Sequence, residues 1–106
     1  MSLAPPNFLN PIMPIASALV ELEMPASSSL KDKRRVVKSV IARLRNRYNL
    51  AVAEVDTLDE WHRATIMLVT VANSSGYAHG LLEKAVDDLA SWRLDCVIAA
   101  YEIEIW

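Results

Sequence analysis

Residues 15–48 read IASALVELEM-PASSS-LKDKRRVVKSVIARLRNRY, and the spacing of the apolar residues changes within that stretch. From Ile15 the period is two. Ala16, Ala18, Val20, Leu22 and Met24 fall on one face, with Ser17, Leu19, Glu21 and Glu23 on the other, as in a half-buried strand. Pro25 and the serines 27–29 end it. From Leu30 the spacing becomes helical: at about 100° per residue, Leu30, Val36, Val37, Val40, Ile41, Leu44 and Tyr48 share one stripe. Ser29 with Asp32 three residues later resembles a capping box, with Asp in place of Glu. A strand followed at once by an amphipathic helix is the first half of a βαβ unit.

The rest of the chain repeats that layout. Leu50–Val55 reads as a second strand, Asp56–His62 as a polar turn and Ala64–Ala72 as a β-branched third strand. Asn73, Ser74 and Ser75 cap a second helix with the stripe Ala78, Leu81, Leu82, Ala85, Val86 and Leu89. In the closing strand Val97, Ala99, Tyr101, Ile103 and Ile105 alternate with Cys96, Ile98, Ala100, Glu102 and Glu104. With right-handed crossovers, the order βαββαβ predicts the ferredoxin-like α+β fold, a four-stranded antiparallel sheet with both helices on one face. On the uncovered face the alternation places Glu21, Glu23, Glu102 and Glu104 together, with Leu19, Ile98 and Ala100 among them. Like charges directly opposite one another are destabilising.

The run of 106 residues with 53% apolar content fits one domain, assigned to residues 15–106 behind a proline-rich, poorly ordered arm at 1–14. No apolar run approaches the roughly 20 residues of a membrane span, and the first residues lack the features of a signal peptide. The lone Cys96 excludes an internal disulfide and any CxxC motif. The expected setting is a reducing cytoplasm. Two glycines leave no material for a Gly-rich phosphate loop.

Charge is the chain's most specific functional signal. Eight of the eleven basic residues lie between 31 and 47, against one acid, Asp32, while the remainder holds three bases and twelve acids. Arg43, Arg45 and Arg47 occupy the last turns of the first helix, where cations favour the negative dipole end. Lys31, Lys33 and Arg34 occupy its first turn, where each opposes the dipole by roughly 0.3–1 kcal/mol. Pairs such as Lys31/Arg35 and Arg34/Lys38 add about 0.2–0.5 kcal/mol of repulsion each. Such an arrangement signals an anionic partner. Lys31, Arg34, Arg35, Lys38 and Arg45 share an arc of about 100° beside the apolar stripe. Lys33 falls inside that stripe, with its stem packed and its head expected to snorkel outward. The predicted nucleic-acid-binding set is therefore Lys31, Lys33, Arg34, Arg35, Lys38 and Arg45. The competing explanation is internal: antiparallel helices bring Asp87 and Asp88 to the first turn and neutralise it.

Other candidates carry less. The serines 27–29 cap the helix more readily than they hold a phosphate. Asp56, Asp59, Glu60 and His62 match no established metal loop, so no metal or cofactor is expected. Trp61 beside Arg63 packs the hairpin end or stacks a base. Cys96 and His79 have no triad partner. The segment Pro25–Ser29 has no arginine to cradle a phosphate, as an acylphosphatase would need, and no RNP-like aromatics lie on the strands. No catalytic residue is expected.

The runs Ser29–Ser39, Arg43–Asn49, Ala53–Asp56, Trp61–Ala64 and Tyr101–Ile105 together resemble the YlxP-like family, bacterial domain of unknown function 503, across roughly residues 15–106. The resemblance departs at His62, where the family usually has Gln, and in the proline-rich arm. It implies a ferredoxin-like fold and a cytoplasmic bacterial protein. Family members are often encoded beside translation initiation factor 2 and ribosome-binding factor A, which points to translation or ribosome maturation. The family supplies no catalytic residues to carry over. The resulting expectation is a non-catalytic protein that binds RNA or a ribosomal particle through its first helix. The alternative is a homodimeric structural or small-ligand-binding module without a nucleic-acid role.

Overall fold

The protein is described by a computed structural model covering residues 14–106. The arm expected at residues 1–14 lies outside the described residues except for Pro14, whose carbonyl accepts from the Ala72 N–H at 2.9 Å. Six elements follow in the expected order: β1 (Ile15–Glu23), α1 (Leu30–Arg47), β2 (Ala51–Val55), β3 (Arg63–Val71), α2 (Ser75–Ser91) and β4 (Val97–Ile105). The strands form one sheet in the order β2-β3-β1-β4, every pairing antiparallel. This is the ferredoxin-like α+β arrangement.

The alternation in β1 works as read. Ala16, Ala18, Val20 and Leu22 are at most 1% exposed and face the helices. They join Val36, Val37, Val40 and Leu44 of α1, Ile66 and Leu68 of β3, and Ala78, Leu82, Ala85, Val86 and Leu89 of α2 in one core. Each fully buried leucine there contributes about 1.5–3 kcal/mol relative to exposure. The alanines at 16, 18, 78 and 85 leave room for helix to approach sheet.

Helix ends follow local chemistry. The Asp32 N–H donates to Ser29 Oγ at 3.0 Å, the forward half of a capping box. The return bonds go one residue further out, to Ser28, whose N–H and Oγ–H donate to Asp32 Oδ2 at 3.1 and 2.6 Å. Helix α1 stops at Arg47 rather than Tyr48, which is extended (φ −134°) and gives its N–H to the Leu44 carbonyl. In α2 the Ser74 side chain accepts from the Tyr77 N–H.

Strand β4 departs from the sequence reading. Glu21 lies opposite Ala100 but Leu22 opposite Ile98, so Ala99 is one residue too many and the ladder bulges there. The bulge reverses the facing of the residues before it: Ile98 packs on the core and Val97, expected inside, is 57% exposed. Ile98 is therefore not part of the uncovered face. Tyr101 and Ile105 do sit opposite Val20 and Ala16, yet remain about half exposed because β4 is an edge strand. The expected crowd of four carboxylates is also dispersed. Glu102 lies opposite Leu19 and Glu104 opposite Ser17, while Glu21 and Glu23 face Ala100 and Val97. On their other side, Glu21 accepts a hydrogen bond from Thr65 and Glu23 is paired in register with Arg63.

Candidate nucleic-acid interface

The cap at Ser29 and the apolar stripe fix α1 on the sheet, and that decides which of its cations reach solvent. Lys31, Arg34, Arg35, Lys38 and Arg45 are all exposed, on the side turned away from the core. Lys33 is not. Its side chain is 0% exposed, and its Nζ donates to Glu54 Oε2 at 2.5 Å and to the Thr57 carbonyl at 2.6 Å. The head was expected to snorkel outward and the residue to bind nucleic acid. Both expectations are corrected, because a buried carboxylate and a carbonyl on the β2–β3 connection hold the ammonium inside.

The sequence reading missed those partners, although a signal for them was present. Glu54 shares the core-facing parity of Val52 on β2, so both it and Lys33 are charges at apolar positions, and of opposite sign. Thr57, read as part of a polar turn, is 2% exposed. Its Oγ1 donates to Glu54 Oε2 at 2.7 Å and accepts from the Thr65 N–H at 2.9 Å. The chain enters this buried turn through Asp56, whose φ of 65° lies in the left-handed region that aspartate tolerates.

The exposed cations divide by partner. Arg43 lies over the Trp92 ring, 5.5 Å from its centre, and Arg47 Nε is 3.4 Å from Asp88 Oδ2. Tyr48 donates its hydroxyl to the same Asp88 carboxylate. Asp88 thus meets the last turn of α1, not the first, and the expected neutralisation of the first turn by α2 does not occur there. The helices run antiparallel but are offset, so α2 ends beside residues 43–48. Among the described residues, Lys31, Arg34, Arg35 and Lys38 belong to no ion pair. Arg35 lies close enough to Asp32 to help depress its pKa, behind the larger effect of the hydrogen bonds from Ser28. Arg45 Nη2 donates to the Val52 carbonyl at 3.0 Å, which uses one of five guanidinium donors.

Arg34, Lys38 and Arg45 line a groove of about 510 Å³ between α1 and the edge strand β2, with Val37, Ile41, Val52 and Leu58 among its apolar residues. The groove offers cations along one wall, and its lining also includes Glu54, whose carboxylate is bound by Lys33 and Thr57. A hollow of about 440 Å³ between Pro25 and the α2–β4 connection includes Cys96, but burial and then Asp95 push its thiol pKa up, away from a reactive thiolate. In the β2–β3 turn, Glu60 is engaged by Arg63 through two contacts of 3.0 Å. Among the described residues, no group of three or more His, Cys, Asp or Glu is placed to hold a metal ion, and no helix is long and apolar enough to cross a membrane.

Comparison with known proteins adds two findings. The family described as "Protein of unknown function (DUF503)" matches residues 15–103. "Uncharacterized protein YlxP" of Bacillus subtilis (strain 168) is 33% identical over 48 residues, which are 45% of this chain and 52% of that protein. The match spans about half the length of that relative.

Proposed function

This chain belongs to the DUF503 family, and from that premise we propose that it is a non-catalytic protein that docks on RNA, free or within a ribosomal particle, through α1. One observation carries the reading. Four exposed cations in the first half of the helix have no ion-pair partner among the described residues, although their positions cost stability. A phosphate backbone running along Lys31, Arg34, Arg35, Lys38 and Arg45 supplies the missing negative charge. Translation-linked gene neighbourhoods, implied by the YlxP-like resemblance, support the ribosome over other polyanions. The protein then works in the cytoplasm and needs no cofactor.

Neutralising five phosphates of a single strand gives a log–log salt slope of about −3.5. Fluorescence anisotropy with ribosomal RNA fragments between low and moderate salt measures it. Arg34→Glu with Lys38→Glu, both exposed and outside the core, is expected to abolish binding while leaving the circular dichroism unchanged. Absence of binding at low salt, or binding that survives the double change, refutes the reading and favours a module with no nucleic-acid role.

A further inference from the structure

We propose that the sheet face opposite the helices is the interface for a second copy of this chain, related by a two-fold axis parallel to the strands and lying between β1 and β3. The face is far more apolar than β1 and β4 alone indicate. Met67, Val69 and Val71 of β3 lie in register with Leu19, Ser17 and Ile15 of β1, and Val71 is 64% exposed. Ala51 and Ala53 extend the surface across β2, opposite Val69 and Met67. Trp106, 60% exposed, is pinned to the same side by an indole N–H donated to Ser17 Oγ at 2.8 Å. Contiguous apolar surface on this scale marks an interaction site.

Area and charge both select a second copy as the occupant. Three nine-residue strands and the five-residue β2, about 4.8 Å apart and rising about 3.4 Å per residue, make a face of roughly 520 Å². Two such faces bury about 1,000 Å², the size a specific interface has to reach. The strand order β2-β3-β1-β4 makes the proposed axis central, so β3 of one copy covers β1 of the other. Because that rotation keeps each residue at its own height along the strands, Met67 covers Leu19, Val71 covers Ile15 and Arg63 covers Glu23. Arg63 and Glu23 are already register partners within one copy, so two Arg63 and two Glu23 alternate in sign about the axis. Each Arg63 also holds Glu60 of its own chain, and Glu21 is bonded by Thr65. The roughly 30° angle between packed sheets displaces the ends by a strand or so, a distance an arginine side chain can span. At the margins, Glu102 and Glu104 on β4 meet the small Ala53 and Ala51 on β2, which leave them space. The α1 helices lie on the outer faces of such a dimer, so the proposal stands independently of the RNA reading.

Sedimentation velocity of the full chain at tens of micromolar tests it. The expected species has twice the 11.8 kDa chain mass. Arg63→Glu places four carboxylates at the axis and is expected to weaken the dimer roughly 100-fold, because juxtaposed like charges cost several kcal/mol. Adding Glu23→Arg restores the alternating ring and the dimer. Both side chains are on the sheet surface, and circular dichroism checks the fold. A single species at the monomer mass for the unaltered chain overturns the proposal. So does a dimer that survives Arg63→Glu, or one that the charge swap fails to restore.

Discussion

Replacing Lys33 by Met keeps the stem that packs in the core and removes only the ammonium. Glu54, whose side chain is 8% exposed, would then hold a buried charge with one remaining hydrogen bond, from Thr57 Oγ1, and the Thr57 carbonyl would lose its donor. Removing one member of a buried pair costs about 3–5 kcal/mol, mostly the desolvation of the orphaned charge. A domain of this size has roughly 5–15 kcal/mol in total. With a urea m value of about 2 kcal/mol/M, the midpoint should fall by roughly 2 M. The Lys33→Met, Glu54→Met double variant removes the orphan as well. It should lie within about 1–2 kcal/mol of the unaltered protein, since apolar replacement of a buried pair is often near neutral. Adding Glu54→Met to Lys33→Met should therefore recover about 2–3 kcal/mol of the single variant's loss. A Lys33→Met midpoint within 0.5 M of the original, or a double variant no more stable than the single, would refute the buried-pair reasoning.

Burial, then the hydrogen bond and charge of Asp88, raise the Tyr48 phenol above its ordinary 10.0. The folded state therefore keeps a proton the unfolded chain has lost, and this contribution is full below pH 10 and declines as pH rises beyond it. The difference between ultraviolet titrations of the unaltered protein and Tyr48→Phe should show a midpoint above 10, and one at or below 10 contradicts the geometry. Cys96, with its thiol pKa raised by burial, should react with iodoacetamide at pH 8 more slowly than cysteine in a short peptide. An equal or faster rate would show the thiol is more open than described.

The sequence made the fold legible wherever the signal was a local period. Alternation at Ile15–Met24 and the stripe from Leu30 identified β1 and α1, because Ser17, Glu21 and Glu23 at outward positions fix the parity of the strand. That condition fails at Val97–Ile98–Ala99–Ala100, where four apolar residues in a row carry no parity. Only Glu102 and Glu104 set the facing of β4, and extrapolating backward from them misses one extra residue at the bulge. The Asp88 error has a different origin. Helix direction follows from the order of elements, but the offset of one helix along another depends on connection geometry, which no short-range pattern encodes. For Lys33, the stripe showed where its stem goes. The fate of its head depends on Glu54, twenty-one residues away on another element, and is legible only where the two opposite charges at apolar positions are taken as a pair.

The buried pair also bears on why α1 can carry its repulsive charges. Three devices act on its first turn at once: the Ser29 cap, the Asp32 carboxylate bound by Ser28, and Lys33 tied to Glu54 and Thr57. Asp32 is favourable at a helix N-terminus and offsets part of what Lys31 and Arg34 cost there. Lys33 does something the other two cannot. A cap sets where a helix begins, whereas a side chain bonded inside the core sets the helix's rotation about its own axis. At 100° per residue, fixing Lys33 inward directs Lys31, Arg34, Arg35 and Lys38 outward as one group. A helix held only by its apolar stripe could roll by a few tens of degrees and turn the whole group relative to the sheet. The ammonium turned inward is thus the one that fixes which way the remaining cations face, the orientation on which the proposed phosphate contacts depend.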